Sequence, residues 1–153
     1  MTAVLHFINT TPFEWYSKRQ ATVETATYGS EFVAARIATD QVIDNRQTLR
    51  YLGVPIKSKT YMFGDNKSVV TSSTIPHSTL SKRAIILCYH RVREAMAAGI
   101  LLFYWVDGKE NFSDPLSKHW EFAAVVHTLN LLMEQRGPIN IRPKSAITAT
   151  KGE

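Results

Sequence analysis

The chain lacks most of the features that place a protein in a functional class at sight. It has one cysteine, Cys88, so it forms no internal disulfide and no cysteine-based zinc site. A reducing, intracellular compartment, cytoplasmic or nuclear, is the simple reading of that lone thiol. No apolar run approaches the roughly 18 residues of a membrane span, so no membrane partner is expected. The opening "MTAVLHFINTTP" has no basic stretch ahead of its apolar residues and reads as a strand, not a signal peptide. The five histidines fall in no metal-ligand spacing, and neither G-x-x-x-x-G-K-[ST] nor G-x-S-x-G occurs. Internal repeats are also absent.

What is present is ordinary. A chain of 153 residues suits one domain with one core. A net charge of +5 permits a polyanionic partner without demanding one.

Periodicity and punctuation divide the chain. "AVLHFI" (Ala3 to Ile8) and the alternating "FEWYSK" (Phe13 to Lys18), separated by the turn residues "NTTP", read as a hairpin with Phe13 and Trp15 on one face. From Glu31 to Leu52 neither Pro nor Gly intervenes. Phe32, Ala35, Thr39, Val42, Ile43, Arg46, Leu49 and Leu52 fall at helical spacing, with Ser30 as a possible cap and Gly53 as the stop. "KTYMFG" (Lys59 to Gly64) is a strand and "NKSVVTSS" a short helix. Ser81 to Ala98 is a second long helix, striped by Ile85, Cys88, Tyr89, Val92, Ala95 and Met96. "ILLFYWV" (Ile100 to Val106) is a buried strand, so Phe103, Tyr104 and Trp105 are core before they are stacking platforms. A last helical segment runs from Pro115 to about Gln135, and residues 136–153 read as a disordered tail. The order β-β-α-β-α-α-β-α predicts an α/β fold with a mixed sheet containing at least one parallel pair.

Three carboxylates fall at element boundaries. Glu31 opens the first long helix, Asp65 ends a strand, and Asp114 precedes Pro115 at a helix start. The carboxyl ends of strands and adjacent helix starts line the crevice of an open α/β sheet. If the three converge, their oxygens suit hard divalent cations. Paired cations of that kind activate water and stabilise a leaving oxygen in phosphodiester cleavage. Each acid also has a plainer reading. Asp before a helix is a preferred cap, and Glu near a helix start suits the dipole or simply faces water. Spacing alone leaves both readings open.

Three segments, in order, resemble the ribonuclease H domain of copia-type retrotransposon polyproteins. "FEWYSKRQATVETATYGSEFVAA" resembles that family's hairpin and first helix, of the form W-x-S-K-x-Q-x-x-V…S-T-E-A-E-Y. "FGDNKSVV" resembles its C-D-N-Q-S-A segment, and "YHRVREAMAAGILLFYWVDGKENFSDPLSKHW" its Y-H-x-V-R-E…G-x-I…Y-V…A-D-I-L-S/T-K ending. The resemblance spans Thr2 to Trp120. It implies a ribonuclease H-like mixed sheet with helices on both faces, in a domain of residues 1–135. It also implies hydrolysis of RNA paired to DNA by two Mg²⁺ (or Mn²⁺) ions, with Glu31, Asp65 and Asp114 as catalytic metal ligands. The implied partners are the RNA–DNA hybrid and the reverse transcriptase portion of the same polyprotein. Lys18, Arg19, Thr27, Asn66 and Lys67 match positions that border the hybrid, although solvated surface is an equal reading for the basic ones. Lys82, Arg83, Arg91 and Arg93 read as a solvated helix face, and His90 as a packed or partly exposed helix residue.

Three departures matter. Gly29 stands where the family often has the first Glu of E-A-E-Y, and Pro115 where it usually has Ile. The family's first, central strand carries a further catalytic aspartate, and no residue of this chain matches it. Without that strand "AVLHFI" and "KTYMFG" either pair directly or both expose an edge. Marginal stability and impaired hydrolysis are therefore expected of the chain alone. The rival readings are a non-catalytic nucleic-acid-binding remnant and a structural module.

Overall fold

The computed structural model describes residues 1–20, 27–78 and 85–133. Lys82, Arg83 and the expected tail at 136–153 lie outside the described residues. The chain is α/β. It divides into two compact units, one comprising Met1–Gln20 with Val106–Glu153, the other Ala21–Trp105.

In the first unit, β1 (Thr2–Ile8) pairs antiparallel with β2 (Thr11–Lys18). The turn between them is two residues, and Asn9 takes it with φ 56°, a conformation its short amide side chain tolerates. The register slips between His6 and Phe7, where the facing pairs jump from His6–Glu14 to Phe7–Pro12 and leave Phe13 as an extra residue. Pro12 cannot donate to the ladder, and a bulge is where a strand accommodates it. Beyond a 3-10 turn at Gly108–Glu110 come α4 (Asp114–Ser117) and α5 (Phe122–Met133). The single helix expected from Pro115 to Gln135 is thus two. The break follows from Ser117, whose hydroxyl donates to the Asp114 carbonyl at 2.8 Å, and from Lys118, which is extended at φ −133°, ψ 158°.

The second unit holds α1 (Thr27–Tyr51), β3 (Thr60–Gly64), α2 (Lys67–Thr74), α3 (Ile86–Ala97) and β4 (Leu101–Trp105). Strands β3 and β4 run parallel, from Thr60 facing Leu101 to Gly64 facing Trp105. The core is the set that helical and strand spacing selects: Phe32, Ala35, Thr39 and Val42 of α1, Tyr89, Val92 and Ala95 of α3, and Met62, Leu101 and Phe103 of the strands. Helix α1 begins four residues before Glu31, so Ser30 lies inside it and does not cap it. Its end is a Schellman turn. Gly53 sits at φ 80°, its N–H donates to Arg50 O at 3.0 Å, and the Val54 N–H donates to Leu49 O at 2.9 Å.

Arg91 and Arg93 are not a solvated face. Arg91 donates to Asp40 of α1 at 2.8 Å and to Glu94 at 3.1 Å, and those two carboxylates raise its pKa. Arg93 lies over the Tyr89 ring and donates to the carbonyls of Ser72, Ile75 and Pro76 at 2.6–3.1 Å, clasping the chain that leaves α2. His90 is exposed, edge-on to Tyr89 at 5.1 Å.

The element order suggested that the strands form a single mixed sheet. Among the described residues they make two sheets of two strands, β1–β2 and β3–β4. Among the described residues β1 and β3 do not pair, and each keeps an edge without a strand partner. Neither edge is guarded by Lys, Arg, Asp, Glu or Pro within "TAVLHFI" or "TYMFG".

Candidate functional site

Asp65 follows the last residue of β3, where the chain leaves the parallel pair and turns into α2. The first residue after the strand has two chemical options there, to cap the helix or to stay available. Asn66 takes the first. Its Oδ1 accepts from the backbone N–H of Ser68 at 3.1 Å and of Val69 at 3.3 Å. The Asp65 carboxylate is half-buried and makes no hydrogen bond or ion pair among the described residues. Its backbone is held from β4: the Trp105 indole N–H donates to the Asp65 carbonyl at 2.8 Å. Lys67 lies with its Nζ 6.0 Å from the centre of that indole ring. Gly64 completes the arrangement by being small. A Cβ there would sit 3.0 Å from Cε2 of Phe103, so the core ring closes directly against the strand end.

This division of labour predicts a separation of effects. Asn66→Ala should cost about 1 kcal/mol of stability through the lost cap, read as a lower denaturation midpoint in urea. A cost near zero would mean that water or a neighbour replaces the cap.

Glu31 lies in the second turn of α1, one residue before the fully buried Phe32. It is half-buried and engaged in an interaction of its own. It is therefore not in the first turn, where the dipole reading would put it. Thr27 is exposed at the start of the same helix. Its neighbour Tyr28 donates its hydroxyl to Ser72 of α2 at 2.9 Å, tying the beginning of α1 to the helix that Asn66 caps.

Asp114 belongs to the other unit. It is the first residue of α4 rather than its cap; the cap position is Ser113, whose side chain makes no capping bond. The Asp114 side chain is 16% exposed, and it accepts from Lys118 Nζ at 2.7 Å and from the Ser117 hydroxyl at 3.3 Å. The Asn111 side chain shapes the approach by accepting from Ser113. Lys18 and Arg19, at the end of β2, are exposed.

Among the described residues, no three His, Cys, Asp or Glu side chains form a metal-binding group. Two partnerships escaped the sequence reading. The Asp114–Lys118 pair had a signal, the i,i+4 spacing of opposite charges. The indole bond to the Asp65 carbonyl had none, because it depends on the register of β3 against β4.

No protein-family model, curated protein or solved structure matches the chain at a significant level. Among the described residues no helix is long and apolar enough to cross a membrane.

Proposed function

We propose that the chain is a ribonuclease H-like domain of the copia-type retrotransposon class, acting on RNA paired to DNA during reverse transcription in the cytoplasm or nucleus. The observation that carries this is the Asp65 carboxylate at the end of a parallel strand, relieved of capping by Asn66 and held at its backbone by Trp105. A half-buried carboxylate without a partner among the described residues gains most from a cation. The resemblance over Thr2 to Trp120 supplies the reaction class.

The donor chemistry fits Mg²⁺ or Mn²⁺. Glu31, Asp65 and Asp114 offer carboxylate oxygens, the ligands hard cations prefer. Lys118, which is 62% exposed, is a partner that Asp114 can give up to a divalent ion. Bound ions would supply activation of water and stabilisation of the leaving oxygen. The rest falls to the chain itself. Lys18, Arg19 and Lys67 would hold phosphates of the hybrid. Thr27 and the Asn66 side-chain N–H groups, free of the capping task that its oxygen performs, would donate to sugar and base edges. The ribonuclease H-like sheet with helices on both faces belongs to this proposal too. So does the reverse transcriptase portion of the polyprotein as partner.

No residue of this chain matches the family's first aspartate, so full activity would need a carboxylate supplied from outside these 153 residues. The test is cleavage of a labelled RNA–DNA hybrid in Mg²⁺ and Mn²⁺, by the chain alone and with an aspartate-bearing strand appended upstream. Weak cleavage alone and strong cleavage with the strand is the expected outcome. A folded, extended chain that cleaves nothing would reject the nuclease reading. The second reading, a non-catalytic nucleic-acid-binding remnant, would then be supported by binding that weakens steeply with salt and ignores metal.

A further inference from the structure

The outer face of the hairpin is aromatic where water calls for polar residues. Exposure alternates along β2, and the exposed positions from Thr11 to Ser17 include Phe13 at 41% and Trp15 at 72%. A solvated strand face ordinarily carries polar side chains, and a cluster of exposed rings marks a place of contact. Ser17 lies two residues from Trp15 and projects to the same side. Its hydroxyl donates to the Leu116 carbonyl at 2.7 Å, which pins the end of α4 to that side. From there the chain runs to Lys118 and Trp120. The Lys118 Nζ lies 5.9 Å from the Trp120 ring centre, and that ring is 42% exposed.

The charges around these rings select the occupant. Glu14, its side chain 42% exposed, alternates away from Trp15 and lies with its carboxylate 4.0 Å from Nε2 of His6, whose ring is 6.0 Å from that of Phe13. Asp114 is taken up by Lys118 at 2.7 Å. Lys18 and Arg19, at the end of β2, are exposed and enter no ion pair among the described residues. Glu121 is the one exposed carboxylate beside Trp120. An open π-face near these two cations suits flat bases on a phosphate chain, because every base stacks and every phosphate is negative. A second copy of this chain would bring the same cations against themselves.

We propose that this face is a stacking platform for unpaired bases of single-stranded nucleic acid, with Trp15 as its principal ring. It rests on the nucleic-acid reading above but not on the acidic residues, and it would hold strand outside any paired hybrid.

The test uses the full chain, with fluorescein-labelled oligo(U) and oligo(dT) followed by anisotropy. Trp15→Ala should weaken binding of both by about tenfold, Trp15→Phe should restore most of it, and circular dichroism should stay unchanged because the side chain is exposed. A parent chain that binds neither oligonucleotide overturns the proposal, as does a Trp15→Ala variant that binds like the parent. Self-association that Trp15→Ala abolishes, with oligonucleotide affinity unaltered, assigns the face to a second copy instead. Hybrid cleavage by the strand-extended chain is scored in parallel. Trp15-dependent binding without any cleavage would leave the platform standing and reject only the nuclease, whereas cleavage without it would reject only the platform.

Discussion

Asp65→Asn is expected to leave the chain folded and to reduce metal-dependent hybrid cleavage by about 100-fold or more. The size follows from position. Outer partners of metal ligands are worth roughly 10–100-fold when removed, and a ligand itself is worth at least as much. The substitution keeps shape and loses charge, so an effect on cleavage reports the loss of a cation's partner. Stability should fall by at most about 1 kcal/mol, the value of a negative charge beside the start of a helix. The small structural cost is argued from Asn66, which carries the cap, and from Trp105, which bonds the Asp65 backbone and not its carboxylate. The measurement is hybrid cleavage by the strand-extended chain, with urea unfolding alongside. Full cleavage by Asp65→Asn would sink the assignment of this residue. A collapse of stability would show that the carboxylate is structural.

Phe32→Ala should do the reverse, destabilising the second unit by about 3–5 kcal/mol. That is a large part of the roughly 5–15 kcal/mol that holds a typical domain together. Phe32 is 0% exposed and stands between the rings of Tyr28, 5.0 Å away, and Tyr89, 5.8 Å away. The cost belongs at the high end of the range for a specific reason. Both flanking rings are tethered by their hydroxyls, Tyr28 to Ser72 and Tyr89 to the Ser78 carbonyl, so neither can move in to fill the void. A cavity that cannot collapse carries its full penalty. Phe32→Leu, which keeps most of the volume, should cost appreciably less. The check is the urea midpoint of both variants. A Phe32→Ala midpoint within about 1 kcal/mol of the parent would mean that the α1–α3 packing repacks freely. Glu31 adjoins Phe32 on α1, so this variant should also lose cleavage through misplacement, and its defect should scale with unfolding where that of Asp65→Asn does not.

How much of this was legible in the chain varies with the range of the interactions involved. Of the stripe that helical spacing draws along α3, Ile85 at its cap position and Tyr89, Val92 and Ala95 within it are buried, while Cys88 and Met96 are half-buried. The stripe of α1 is equally clear from Phe32 to Val42. It fades toward Leu52, which is 67% exposed because the helix ends at Gly53. Periodicity alone merges the short "DPLS" helix with the longer one that follows. Apolar periodicity continues through the break, while the competing bond from the Ser117 hydroxyl to the Asp114 carbonyl is too local for periodicity to register. Of the candidate site, the three acids and their element ends were visible in sequence. Their partners were not. Lys118 on Asp114 and the indole of Trp105 behind Asp65 depend on where separated segments meet.

The sequence by itself determined the elements and their order, because hydrophobic period, Gly stops and Asn turns act over a few residues and need no distant partner. It also put a carboxylate at the end of β3, but only the structure gave the cap to Asn66 and left Asp65 without that task. Only the tertiary structure decided that the described strands pair two by two, and that Arg91 and Arg93 clasp neighbouring elements instead of facing water. It alone decided that the aromatic side of the hairpin is the exposed one. Those outcomes turn on which segments cover which faces. Alternation tells that two sides of a strand differ, but the side that meets water is chosen by whatever packs against the other.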